Sequence, residues 1–344
     1  MGLVSLIALT AVRQVARTVA SPFVYVWAKA TKAHLKIDSL DLSGRTLSDQ
    51  DLDDIAQFVN LKRLDLTNCR LSNKVVQKVA PLKQLEALAL SYNDITDEGL
   101  VLLVACLPNL KELKLGGTRI SDNGLRALRT LTHLEELDLS STELTDSGME
   151  QIGRLTALRV LKINSTKVTS AGLKPLTALV CLEELDFCFT AIGDEGMEHL
   201  GGVSSLKKLH FYGTKIGDAG LARLTALSGL QVLSAKDTGF SAAGLAALAS
   251  FPELRELGLP ACGITDDGLA HVAKLRKLRH ICLSSNYGIT DAALQHFQGL
   301  GELESLDLLD TGVDGDKLRA LKASLPRLRY AYCSRNSPDP VYIL

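Results

Sequence analysis

At 344 residues the chain is long enough for two or three ordinary domains, yet hydrophobic residues make up 46% of it and aromatics only 5%. An interior of Leu, Ala, Val and Ile suits thin stacked units better than a globule organised around large rings. With 38 basic and 39 acidic residues the net charge is −1, which excludes an overall field that would draw the chain to nucleic acid or anionic lipid.

Residues 1–36 contain Arg13, Arg17, Lys29, Lys32 and Lys36 but no acidic residue. Leu6, Leu9, Val12, Ala16, Val19, Phe23 and Trp27 recur every three or four positions with Arg13 and Arg17 off that stripe. A helix here would be amphipathic until Pro22 interrupts it. Three roles fit: a cap over the first unit of the stack, an interfacial membrane anchor with Tyr25 and Trp27 at the headgroups, and a targeting segment. The cap is preferred, because an uncapped stack would expose its core. A secretory signal would place its basic residues before the apolar run rather than after it. The uncharged run Met1 to Val12 is too short to span a bilayer, and Leu6 stands where myristoylation needs Ser or Thr.

From Ile37 onward a Leu-x-x-Leu-x-Leu pattern repeats. It restarts at Leu61, Leu85, Leu110, Leu134, Leu158, Leu182, Leu206, Leu230, Leu254, Leu278 and Leu303, with a partial unit at Leu328. Within a unit such as Leu134-Glu-Glu-Leu137-Asp-Leu139 the apolar period is two, and Ile152 and Leu155 then follow at helical spacing. Each unit therefore predicts a short strand, a turn and a short returning helix. The turn carries Thr-Asp or Ser-Asp at Asp97, Asp122, Asp146, Asp266 and Asp291, placed for a side-chain oxygen to accept the first free helical amides. Glycine follows two positions later in eight units, from Gly99 to Gly268, which predicts close packing against the neighbouring unit. Thr118, Thr142, Thr166, Thr190, Thr214, Thr238 and Thr311 stand after the strand, replaced elsewhere by Asn93, Asn286, Cys69 and Cys262. In register, this column is expected to bond the turn backbones of adjacent units. Asn73 and Val75, Ala235 and Ala242, and an inserted Gly288 depart locally from the frame.

One such unit cannot stand alone. About seven buried apolar side chains at ~1.5–3 kcal/mol each yield ~10–20 kcal/mol, and ordering some two dozen residues at ~1.5 kcal/mol each costs about twice that.

The Leu-x-x-Leu-x-Leu-x-x-Thr-x-Ile-Thr-Asp-x-Gly-Leu frame resembles the leucine-rich-repeat family over residues 37 to about 336. Its Thr-Asp-x-Gly-Leu turn is similar to the cysteine-containing subclass of F-box receptors and to bacterial repeats of the same length. The resemblance implies an α/β solenoid, with a curved parallel β-sheet inside and short helices outside. It also implies a domain order of residues 1–36, a solenoid over 37–336 and a tail over 337–344, whose apolar Val341 to Leu344 are expected to fold back over the last repeat. The family is a binding scaffold reused for unrelated partners.

No HExxH, GxxxxGK[ST], GxSxG or GxGxxG motif occurs, and the seven histidines are dispersed, so no enzyme activity, cofactor or metal is expected. The seven cysteines stand singly without CxxC spacing, as expected of reduced and mostly buried thiols. The sequon Asn164-Ser-Thr166 falls on the inner strand face, where a glycan would crowd the groove. On that face the residues flanking each middle Leu form columns. Most are small or charged, but around the seventh and eighth units Asp186, Phe189, His210, Tyr212 and Lys236 come together. Aromatic anchors flanked by charge are the composition of interface hot spots, so these five are the candidate partner-binding residues, with Phe189 and Tyr212 alternatively stacking on each other merely to cover backbone. His210 beside Asp186 would make such binding pH-dependent. The expected function is a non-catalytic scaffold holding a protein on the concave face, in the cytoplasm, with peripheral membrane contact if residues 1–36 act as an anchor. Two alternatives stay open: a substrate-recognition subunit of a ubiquitin-ligase-type complex, for which no F-box-sized segment fits ahead of Ile37, and a membrane-directed effector.

Overall fold

A computed structural model describes residues 37–334. The roles expected of residues 1–36 and of the tail 337–344 lie outside the described residues.

Two compact units divide after Lys162. The first contains β1 (Ser39–Asp41), β2 (Arg63–Asp65), β3 (Ala87–Ala89), β4 (Glu112–Lys114), β5 (Glu136–Asp138) and β6 (Val160–Lys162). The second contains β7 (Glu184–Asp186), β8 (Lys208–His210), β9 (Val232–Ser234), β10 (Glu256–Gly258), β11 (His280–Cys282), β12 (Ser305–Leu308) and β13 (Tyr330–Cys333). Within each unit neighbouring strands pair in parallel and in sequence order. The predicted repeat is thus the unit of the fold, and the partial repeat at Leu328 completes a strand of its own.

Register follows from the leucines. Leu40, Leu64, Leu88, Leu113, Leu137 and Leu161 face one another across the first unit, and Leu185, Leu209, Leu233 and Leu257 do so in the second. All are buried, while most residues on either side of them stay partly exposed. A one-residue slip would turn every such leucine outward, so the pairing is tightly specified.

The returning segments are short. In the first unit they are the helices Asp49–Ile55, Lys74–Val79, Asp97–Cys106, Asp122–Leu125 and Asp146–Ile152. Asp194–Leu200, Asp218–Arg223, Ala242–Leu245, Asp266–Val272 and Gly315–Leu321 are their counterparts in the second unit. Ser170–Ala178 and Asp291–His296 wind instead as 3-10 turns. In the former, Pro175 removes an amide donor inside the segment and disfavours the wider helix.

Two expectations about the turns need correction. The hydroxyls do cap their own helices, as Thr145 accepting from the Ser147 amide and Ser121 from Asn123 illustrate. The aspartates bond forward, to the next repeat. Asp97 accepts from the Ser121 amide at 2.7 Å and from its hydroxyl at 2.6 Å. Asp122 does the same with Thr145, Asp218 with Ser241 and Asp266 with Thr290. Where the sequence departs from the frame, Asn73 accepts from the Thr96 amide at 3.0 Å and Ser170 from Gly193 at 3.0 Å. Beside Asp122 the Ser121 hydroxyl already takes an amide of its own first turn, but Thr96 and Thr265 make no such cap bond beside Asp97 and Asp266, so what the aspartates share is the free donor that the next turn offers.

The threonine column also behaves differently from expectation. Thr118, Thr142, Thr190 and Thr214 donate to carbonyls three residues back in their own repeat. Cys69 Sγ crosses to the Leu42 carbonyl and Thr238 Oγ1 meets Cys262 Sγ, but Asn93 and Asn286 both accept and donate across repeats. Asn93 accepts from the Cys69 and Leu71 amides and donates to Leu66 and Leu90 carbonyls. Asn286 repeats this set with Cys262, Ile264, Leu259 and Leu283.

The forward-reaching carboxylate explains the glycine two positions along. A Cβ on Gly124 would stand 2.5 Å from Asp97 Oδ1, and one on Gly220 would stand 2.5 Å from Asp194 Oδ1. On Gly244 it would collide with Asp218 Oδ1. Helix propensity alone favours Gly→Ala by about 1 kcal/mol, so the sign of the effect is diagnostic. We expect Gly244→Ala to lower stability in urea unfolding by about 1–3 kcal/mol, and the loss to shrink in the background of Asp218→Ala. A Gly244→Ala protein as stable as the parent would show that the glycine makes no room for the carboxylate.

Candidate partner-binding face

On the second unit, β7, β8 and β9 bring Asp186, His210 and Ser234 side by side in register, with Glu184 opposite Lys208 in the preceding column. Lys208 pairs with Glu184 at 3.1 Å. The Asp186 carboxylate is half-buried and accepts from the Cys188 amide at 3.0 Å. Asp65 and Asp138 make the same bond to the amide two residues on, so part of what Asp186 does is hold its own turn.

Phe189 and Tyr212 emerge from the turns that follow β7 and β8. Phe189 is 60% exposed, with φ 55°, a conformation a bulky residue adopts only when its surroundings hold it there. Those surroundings are the Phe189 amide bonded to the Tyr212 carbonyl at 2.6 Å, and Gly213 beneath the ring. A Cβ on Gly213 would lie 2.6 Å from Phe189 Cδ1. Tyr212 reaches onward: its hydroxyl lies 3.6 Å from where a Cβ on Gly258 would stand, alongside Ser234. Burial pushes the Tyr212 phenol up, against the hydrogen bond with Ser234. Phe189 therefore rests on Gly213 and Tyr212 extends over Ser234 and Gly258. The buried Phe187 and Phe211 form the stacked pair below them, with centroids 5.9 Å apart. Lys236 is exposed, and its carbonyl accepts from the Gly213 amide at 3.0 Å.

Four members of this surface were absent from the sequence-based set: Cys188, Gly213, Ser234 and Gly258. The Tyr212 amide donates to Cys188 Sγ at 3.1 Å. A signal for one of them existed, since an aromatic followed by glycine one repeat later occurs twice. Tyr92 is 61% exposed and lies over Gly117 as Phe189 lies over Gly213.

The first unit's open face is organised differently. Ala87 and Ala89 on β3 are buried, and across them Arg63 on β2 reaches Glu112 on β4. Lys114 contacts Glu112 at 2.8 Å and Glu136 at 3.3 Å. Burial alone would push the Glu112 carboxyl up, but Lys114 and Arg63 together hold it below the usual carboxylate range. These charges neutralise one another within the unit, leaving fewer of them to meet a partner.

Among the described residues no group of three or more His, Cys, Asp or Glu side chains is arranged to hold a metal ion, and no helix is long and apolar enough to cross a membrane. The seven cysteines differ in accessibility. Cys181 is exposed, whereas burial, followed by the adjacent Asp186 carboxylate, pushes the Cys188 thiol up to about 12. A raised value keeps the thiol protonated and unreactive until the pH approaches it. We expect iodoacetamide to label Cys181 but spare Cys188 from about pH 7 to about pH 9, as read by peptide mass mapping. Equal labelling of the two would show that the Cys188 turn opens in solution.

Comparison with known proteins bears on the fold. No curated protein matches the sequence significantly. An internalin (inlF) from Listeria monocytogenes is similar in structure, with a TM-score of 0.63 at 23% identity, covering 87% of this chain and 88% of that one. A TDR receptor is similar with a TM-score of 0.53 at 17% identity, over 88% of this chain and 52% of that one. Such identities speak for the solenoid architecture alone. The family described as leucine-rich repeat region matches residues 34–259. The chain belongs to the leucine-rich-repeat family.

Proposed function

We propose that this protein is a non-catalytic scaffold that holds a protein partner on the open face of its second unit, centred on Asp186, Phe189, His210, Tyr212 and Lys236. Leucine-rich-repeat proteins generally serve as interaction scaffolds, and their fold is typically non-catalytic. The observation that carries the reading is Phe189. A large aromatic held 60% exposed in a left-handed turn gains little from the core of its own chain, so its apolar surface serves something outside it. Tyr212, half-buried with its hydroxyl over Ser234 and Gly258, adds a second ring with a polar tip. Asp186 and the exposed Lys236 supply charges of both signs beside His210, which suits discrimination between partners more than raw affinity.

The test uses partner proteins recovered by affinity purification with the full chain. Phe189→Ala combined with Tyr212→Ala is expected to weaken capture by about tenfold or more, equivalent to ~1.4 kcal/mol per decade, with little change in thermal midpoint. Retention of binding together with a markedly lower midpoint would assign both rings to the structure instead.

A further inference from the structure

Just ahead of each strand, the residue after the first leucine of the repeat carries a charge whose sign alternates along the sequence: Lys62, Glu86, Lys111, Glu135 and Arg159, then Glu183 and Lys207. Alternation gives a charge opposite ones on the neighbouring rungs. In the first unit Glu86 meets Lys62 at 3.6 Å and Lys111 at 2.8 Å, and in the second Lys207 meets Glu183 at 2.8 Å.

The pattern breaks within the second unit, where Gln231 is followed by Arg255 and Arg279. The Arg279 amide donates to the Arg255 carbonyl at 2.8 Å, so two like charges stand on adjoining rungs, about 4.8 Å apart. Like charges on neighbouring strands are unfavourable, and a local rule broken without a gain inside the fold marks a surface kept for another purpose. The loop leading into β11 adds to the excess, since residues 273–280 hold Lys274, Arg276, Lys277 and Arg279 and no acid. The nearest carboxylates are engaged: Glu253 holds Lys277 at 2.6 Å, and Glu304 lies 3.9 Å from Arg279. Arg276 donates to the Gly299 carbonyl at 2.6 Å, and Glu256 stands opposite His280 in the strand pairing. Among the described residues Arg255 and Lys274 are exposed and make no ion pair.

We propose that this rim at the entry to β10 and β11, centred on Arg255 and Arg279, is a second docking surface, which takes an acidic segment of a protein independently of the face at Phe189 and Tyr212. Guanidinium forks match carboxylates in paired hydrogen bonds. Residues three or four apart on a helix have Cβ atoms about 5–6 Å apart, close to the spacing of the rungs, so two acids on one helical face meet both arginines. The interleaved Glu253 and Glu304 would repel a continuous phosphate backbone. Among the described residues no large hydrophobic side chain from 253 to 280 is exposed, so the rim has nothing to insert among lipids.

The probe is a phage-displayed library of random peptides panned against the immobilised full chain, with enriched sequences then made as synthetic peptides. Enriched peptides are expected to carry two or more acids at helical spacing. Their affinity should fall by about tenfold or more for Arg255→Glu with Arg279→Glu, and should weaken as NaCl rises from about 0.05 to about 0.5 M. Arg255→Gln with Arg279→Gln should weaken binding in the same direction, which keeps the test decisive if charge reversal lowers the thermal midpoint. Lys215→Glu with Lys317→Glu, which changes the net charge equally at exposed positions elsewhere on the unit, should leave the affinity unchanged. The proposal is overturned if no acidic peptides are enriched, if both arginine variants bind them as the parent does, or if the lysine variant loses as much. Peptides that depend on Phe189 and Tyr212 rather than on the arginines belong to the open face and overturn it too. So does a single-stranded oligodeoxynucleotide, or a phosphatidylcholine/phosphatidylserine vesicle, that binds through Arg255 and Arg279 more tightly than any peptide.

Discussion

The structure depends on a carboxylate that serves the repeat after its own. The turn aspartates take up the free amide of the following turn, as Asp97 does for Ser121 and Asp122 for Thr145. A buried amide without an acceptor costs about 1–3 kcal/mol, so a repeat gains this term only when another is stacked against it. The glycine two positions along leaves the space in which the carboxylate sits, and the two residues act as one device shared between adjacent repeats.

The same direction of dependence holds elsewhere. Beyond each strand the ladder continues through turn amides that bond the next repeat, such as Gly44 to Thr67 and Tyr92 to Gly116. Where Cys69 and Cys262 replace the usual threonine, the asparagine of the following repeat reaches back and satisfies the turn amides. On the rim, Glu86 sits between Lys62 at 3.6 Å and Lys111 at 2.8 Å. The Lys111 ammonium holds the Glu86 carboxyl below the usual range. Such exposed pairs add little stability individually, but they align charge with the stacking direction. With backbone and turn polar groups met between neighbours, the side chains of the open face are released from most structural duty.

Much of the fold was legible because the leucine spacing changes period within each unit, and only a strand followed by a short helix satisfies both periods. The glycines after the turn were legible as close approaches for the same reason. What the sequence could not reveal was direction. Threonine and aspartate each have two backbone groups within reach, and which one they choose depends on which amides remain free once repeats stack. The candidate face shows the same limit. Column positions placed Asp186 beside His210 and Tyr212 beside Lys236, but position does not dictate how a ring lies. Phe189 settles on Gly213 and Tyr212 extends toward Gly258 because the small residues lie there, and the floor of Ser234 and Gly258 becomes meaningful only once the rings that cover it are seen.

Twelve consecutive turns place one residue in the left-handed region at the same point of the repeat, with φ between 53° and 72°. Glycine occupies that point at Gly44, Gly117 and Gly213, but so do Asn68, Tyr92, Ser141, Ser165, Phe189, Asp237, Ala261, Ser285 and Asp310. Residues of such different size and polarity share one conformation because the backbone bonds between repeats impose it, and the cost of leaving glycine is modest and paid once in each turn. Within each unit the chain thereby acquires, at its non-glycine members, display sites whose chemistry can be rewritten without rebuilding the support. A combinatorial library varied at the nine non-glycine points would keep the interior unchanged, whereas Gly117 and Gly213 must stay small beneath Tyr92 and Phe189.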